Sequence, residues 1–196
     1  MATLVAVPFV SDDTLLERAA AGERDALEEL FGRYRSVAYR IAHRLLGNDA
    51  DALDAVQEGF VKALVHLPRF EGRSSFKTWL LRVVSNASLD LGRRRGRRET
   101  ISIDAVGLDT REQMEPTSDS MASANLERDD LRRKLQDALQ ELPPAQRQTF
   151  VLHAEAELSY REVAEVLGIS IGTVMSRLYY ARQRLRDLLE PWMNPE

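Results

Sequence analysis

Apolar side chains in this chain recur every third or fourth residue and nowhere alternate with polar ones over the length of a strand. Such spacing can bury an apolar face only on an α-helix. Leu27, Leu30, Phe31, Tyr34, Ala38, Ile41 and Leu45 fall on one stripe. That predicts one amphipathic helix ending at Gly47-Asn48, a pair suited to a carboxy-terminal cap. A second helix is expected from about Ala50 to Leu67, stopped by Pro68. After the loop RFEGRSS, a third stripe of Phe76, Trp79, Leu80, Val83, Val84, Ala87 and Leu91 runs into a cluster of arginines.

The periodicity lapses between Glu99 and Asn125, a stretch of Asp, Glu, Ser, Thr, Gly and Met that contains Pro116. It resumes at Leu126, Leu131, Leu135, Ala138, Leu139 and Leu142, breaks at Pro143-Pro144, and resumes again beyond. The expected architecture is therefore all-α, with two small helical domains, 12–98 and 126–191, joined by a flexible acidic linker, 99–125. A chain of 196 residues with 44% hydrophobic and 30% charged side chains can bury two such cores.

No run approaches the length of uncharged apolar sequence that a membrane-spanning helix needs. The opening MATLVAVPFVSDD lacks a basic start and reads as a short frayed end rather than a leader. With no cysteine there is no disulfide, thiolate zinc site or cysteine nucleophile, which suits a cytoplasmic protein. The net charge of −4 argues weakly against a nucleic-acid partner, but its distribution argues the other way. Residues 82–98 carry six arginines, Arg82, Arg93, Arg94, Arg95, Arg97 and Arg98, against Asp90 alone. Residues 99–125 carry six acids against Arg111.

The sharpest local signal is LSYREVAEVLGISIGTVMSRLYYARQRLRDLL. Ser159 followed by Glu162 is a capping box that starts a helix, Gly168 ends it, and Ser170 can cap the next. Ala164, Gly168 and Val174 stand at the intervals of a helix-turn-helix, in which a small residue lets the helices cross and glycine makes the turn. Such a motif places the amino-terminal part of its second helix on base edges in the major groove. Arg177, Arg182, Arg184 and Arg186 suit phosphate contacts. A plain helical hairpin with a solvated arginine face is the alternative.

Three ordered blocks carry a resemblance. DALDAVQEGFVKAL, then RFEGRSSFKTWLLRVVSNASLDLGRRRGR, then ELPPAQRQTFVLHAEAELSYREVAEVLGISIGTVMSRLYYARQRLR resemble the extracytoplasmic-function branch of the bacterial sigma factors. The resemblance implies a factor that binds core RNA polymerase and promoter DNA, directs promoter-specific initiation, is held by an anti-sigma factor, and is monomeric when free. It implies polymerase contacts at Asp51, Asp54, Gln57 and Glu58, for which a solvated acidic face is the alternative. It implies capture of flipped promoter bases by Phe70, Arg73, Ser74, Ser75, Phe76, Lys77 and Asn86, types that stack on bases or bond their edges. Trp79 lies on the apolar stripe and reads more readily as core. Arg93, Arg94, Arg95, Arg97 and Arg98 would hold the DNA backbone.

Distal-element readers or their neighbours would be Thr173, Met175, Ser176, Arg177, Tyr179 and Tyr180, with Arg184 beside them. At Met175 and Tyr180 relatives commonly carry a basic residue, and methionine cannot make arginine's bidentate contact to guanine, so the resemblance does not carry over their base preference. Fully extended, the linker would reach roughly 90 Å, enough for DNA sites about 70 Å apart. The resemblance implies that it threads the polymerase, where its charge would imitate RNA; an ordinary tether is the alternative.

Two rival classes remain. An enzyme is poorly served, because His43, His66 and His153 lie on separate expected helices without ligand spacing, and no phosphate loop or nucleophile elbow occurs. No catalytic residue, cofactor or metal is expected. A stand-alone repressor or activator would explain the helix-turn-helix but not the aromatic, arginine-rich loop of the first domain.

Overall fold

The computed structural model describes residues 10–103 and 122–193. Every regular element among them is helical. The frayed start and most of the acidic linker fall on residues outside this description. The first half contains α1 (Asp12–Ala20), α2 (Arg24–Leu46), α3 (Asp49–His66), a 3-10 turn (Leu67–Arg69) and α4 (Phe76–Ile103). The second contains α5 (Ala122–Gln140), α6 (Pro144–Ala154), α7 (Tyr160–Leu167) and α8 (Ile171–Met193).

Local chemistry sets most of these boundaries. The Ser11 side chain accepts from Thr14 N at 3.2 Å and starts α1. That short helix is separated from α2 by Gly22 at φ 93, a break the apolar stripe does not reveal. Gly47, at φ 86, ends α2, and Asn48 accepts from Asp51 N at 2.9 Å to start α3. Pro68 sits in the first positions of the 3-10 turn, where its missing N–H costs nothing. The arginine cluster does not follow α4 but forms part of its carboxy-terminal half. Helical backbone also runs on to Ile103 and begins again at Ala122, inside both ends of the stretch expected to be linker.

Leu30, Ile41 and Leu45 of α2, Ala52, Ala55 and Ala63 of α3, and Leu80, Leu81 and Val84 of α4 close the first core. At Gly59 an added Cβ would lie 3.0 Å from Val84 Cα, so α3 and α4 meet at backbone distance there. The second core joins Val151 and Leu152 to Val163, Val174, Leu178, Ala181 and Leu185.

The two halves pack directly, α2 on α5 and α6, and α4 on α7. Across this seam the Arg147 guanidinium donates to Leu45 O at 3.0 Å, and Gln140 Nε2 donates to Arg44 O at 3.1 Å. Gln136 Nε2 reaches His43 O at 3.3 Å. These donors reach the last carbonyls of α2: those of Arg44 and Leu45 lie beyond the helix's own ladder, and that of His43 also accepts from Gly47 N at 2.8 Å. Glu155 pairs with Arg44 at 2.9 Å and Arg40 at 3.3 Å. Gln148 donates to the buried Ser85 hydroxyl at 3.4 Å, and Thr78 to Glu162 at 3.4 Å.

Candidate nucleic-acid interface

The helix-turn-helix is built as its local signals require. The Ser159 side chain accepts from Glu162 N at 3.3 Å, while the Glu162 carboxylate accepts from Ser159 N at 2.8 Å. The Ser159 hydroxyl also donates to that carboxylate at 2.6 Å, and this bond, ahead of the one from Ser159 N, holds the Glu162 carboxyl below its ordinary pKa. Gly168 turns the chain at φ 64, and Ser170 accepts from Thr173 N at 3.1 Å to begin α8. Ala164 and Val174 are buried at the crossing. The outer surface of α8 presents Ile171, Met175, Ser176, Tyr179, Tyr180, Arg182, Arg184 and Arg186, with Thr173 and Arg177 half-buried at its flanks. The rings of Tyr179 and Tyr180 meet edge to face at 5.3 Å.

In the first half, α4 begins where Ser75 accepts from Thr78 N at 3.1 Å. Spacing of three and four residues then places Trp79, Arg82, Asn86, Arg93 and Arg97 on one side of that helix. Arg82, Asn86, Arg93 and Arg97 are exposed there, and Trp79 is half-buried. Phe70 packs against the Trp79 ring at 5.1 Å, which extends this stripe into the loop. Arg73 is exposed and pairs with Glu71 at 2.5 Å. Ser74 and Lys77 are half-buried.

Phe76 requires a correction. It is 2% exposed and packs its ring against Phe31, Tyr34, Phe70 and Trp79 at 5.7, 5.8, 6.1 and 5.7 Å. A ring enclosed in this way cannot stack on a base.

The arginines divide by helix face. Arg93 and Arg97 point outward, Arg93 beside Asp90 at 3.2 Å. Arg94 instead bonds both oxygens of Glu58, at 3.1 and 2.9 Å, and Arg95 reaches Asp51 at 2.5 Å. Residues expected to bind DNA thus hold residues expected to bind polymerase. The side chain of Arg98 lies outside the described residues. Lys62, which sequence reasoning missed, pairs with Glu58 at 2.7 Å, and this pairing, ahead of Arg94, lowers the Glu58 pKa. Lys62, Arg93, Arg94 and Arg97 line a cleft of about 400 Å³ with Glu58 and Asp90.

Asp51 also needs correcting. It is 2% exposed, hydrogen-bonded by Asn48 and ion-paired with Arg95, and so does not belong to an outward acidic face. Asp54 and Gln57 do face outward, and Glu58 is half-buried. Beside them stand four exposed apolar side chains, Leu53, Val61, Leu64 and Val65. Sequence reasoning does not single them out, although apolar residues outside the buried stripe of α3 are the available signal. Among the described residues no group of His, Asp and Glu side chains is placed to hold a metal ion. No helix among them is long and apolar enough to cross a membrane.

Residues 30–98 match the Sigma-70 region 2 family and residues 132–185 the Sigma-70 region 4 family. The ECF RNA polymerase sigma factor SigW of Bacillus subtilis is 31% identical over 179 residues, covering 89% of this chain and 94% of its own. This chain belongs to the ECF RNA polymerase sigma factors.

The ECF sigma factor SigE of Mycolicibacterium smegmatis is 36% identical over 173 residues, although this sigma factor spans only 65% of that protein's length. Among solved structures, CnrH in complex with the cytosolic domain of CnrY superposes with a TM-score of 0.66 at 27% identity, over 91% of this sigma factor and 97% of CnrH. RpoE of Bartonella quintana in complex with the anti-sigma factor NepR gives 0.64 at 28%, over 83% and 98%. The region 2 match contains the whole α3–α4 surface, and the region 4 match contains the helix-turn-helix. As a member of this family the chain is a transcription initiation factor and not an enzyme.

Proposed function

We propose that this sigma factor docks on core RNA polymerase through α3 and holds two separate promoter elements, one on the α4 stripe and one on α8. The carrying observation is that each half exposes its own surface suited to nucleic acid. On α4, Arg82, Asn86, Arg93 and Arg97 adjoin the Phe70–Trp79 pair. Amide and aromatic groups there suit an unstacked base, and the arginines suit the backbone beside it. On α8 the exposed side of a helix-turn-helix suits a duplex major groove.

Docking on polymerase is supported by Leu53, Val61, Leu64 and Val65 standing exposed beside Asp54 and Gln57. Several large apolar side chains exposed among polar ones on one helix suit a protein contact. The units 12–98 and 126–191 act as the two holding domains, and the acidic stretch 99–125 tethers them inside the polymerase without binding DNA. The factor works in the cytoplasm, is monomeric when free, and is restrained by an anti-sigma factor, a reading supported by the NepR complex of its Bartonella quintana relative. Chemistry is left to the polymerase, with no cofactor on this chain.

The test is reconstitution. Purified protein added to core polymerase on sheared genomic DNA should yield transcripts from discrete start sites that core enzyme alone does not give. Tight binding to duplex without polymerase, with no initiation, would replace this reading with a stand-alone repressor.

A further inference from the structure

The exposed surface of α8 has an unusual composition for a helix expected to enter a DNA groove. Ile171 is 47% exposed, Met175 54% and Tyr179 65%. They stand four residues apart, so they form one apolar ridge along the helix. Thr173 already shares a hydrogen bond with Ser170, at 2.9 Å between the two hydroxyl oxygens. Arg177 is half-buried and about 200° around the helix from Met175, on the other flank. The first two turns of the ridge side therefore offer no arginine, lysine, asparagine or glutamine to a base edge.

Such a ridge matches one feature of the major groove. Guanine presents two acceptors there and is read by a bidentate donor, whereas thymine presents a C5-methyl group that apolar side chains contact. Pressed on a G·C pair, Met175 would strip water from acceptors without replacing its hydrogen bonds. Pressed on thymine, it buries a methyl group. Basic residues farther along the helix, Arg182, Arg184 and Arg186, are exposed and suit the phosphates that flank a groove.

A second observation points outward as well. A Cβ added at Gly172 would meet only Ser170 Oγ, at 3.8 Å. None of the described residues requires a glycine there, and glycine is a poor helix former. With Ser176 one turn later, it leaves a shallow furrow beside the ridge that lets the helix lie close to base edges.

We infer that Met175, with Ile171 beside it, is a specificity-determining residue that reads thymine C5-methyl groups in the distal promoter element. The inference rests on the proposed function only in taking α8 as the helix that enters duplex DNA. Ile171 and Met175 are about 6 Å apart along the axis, one helical turn, so the thymines they contact lie within about two base pairs of each other.

The experiment begins with selection of bound sites from duplexes carrying 40 randomised base pairs, by the full-length chain assembled with core polymerase. In a selected duplex, each thymidine of the distal element is then replaced singly by deoxyuridine, which keeps every hydrogen-bonding group and lacks only the methyl. One or two replacements should weaken wild-type binding about three- to fivefold, the worth of a buried methyl group. Met175→Ala should bind less tightly and be insensitive to replacement at one of those positions, while Met175→Leu should retain the sensitivity. Met175→Arg should shift the selected base at that position from thymine toward guanine.

Deoxyuridine tolerated throughout by a wild-type complex that still selects a defined distal sequence would overturn the inference and leave the proposed function standing. The same holds if Met175→Ala keeps both affinity and deoxyuridine response, which would assign the ridge to a protein partner. Absence of any selected sequence and of any specific transcript would instead remove the proposed function itself.

Discussion

Two side chains of similar promise in the sequence have opposite fates in the fold, and each makes a distinct prediction. Asn86 is exposed on α4, one turn from Arg82. Asn86→Ala should slow promoter opening, measured by permanganate reactivity of unpaired thymines, while leaving affinity for core polymerase within about twofold, since it removes one surface amide. Phe76→Ala removes a ring from the centre of an aromatic cluster. It should lower unfolding free energy by about 3–5 kcal/mol, read by urea denaturation, and any loss of transcription should track that loss of fold. The place of Phe76 at the head of the apolar stripe of α4 points to burial, but the rings that enclose it are not legible in the sequence because two of them, Phe31 and Tyr34, lie on another helix far upstream. Asp51 misleads for the same reason, its counter-ion Arg95 being on a different helix.

Elements behave differently, because their starts and stops depend on neighbours only a few residues away. The Ser159–Glu162 box, the Gly47 and Gly168 stops and the Pro143-Pro144 break are all readable in the sequence, and each stands where it is expected. Ser159→Ala should destabilise the helix-turn-helix by about 1 kcal/mol and be seen as a lower melting temperature of the whole chain. Meetings between helices are not readable. Gly59 sits mid-helix, where sequence alone shows only a poor helix former, yet it is where α3 and α4 come closest. Gly59→Ala should therefore cost about 1–3 kcal/mol on thermal unfolding, despite better helix propensity, because a methyl group must push against the Val84 backbone.

For the molecule as a whole, the division into two helical halves is legible in the lapse of periodicity after Glu99. Their packing against each other is not, since the contacts join residues about a hundred positions apart, such as Arg44 with Glu155 and Leu45 with Arg147. Burial lowers the Arg147 pKa, with its guanidinium spent on backbone carbonyls of both halves. Arg147→Ala combined with Glu155→Ala should loosen the seam, with an increase in radius of gyration by small-angle X-ray scattering and both cores still folded. An unchanged radius would mean that apolar contacts suffice to hold the halves together.

Because the final carbonyls of α2 take their partners from the opposite half, the end of that helix registers whether the halves are joined. When they part, Arg44 and Leu45 exchange protein donors for water, His43 keeps only the Gly47 amide, and the closing turn that leads into Gly47 loses its outside support. Deuterium uptake at the Gly47 amide, which bonds His43 O at 2.8 Å, would then quicken before any other part of the bundle loosens. The chain thus carries an intrinsic gauge of its own separation, needing no attached label.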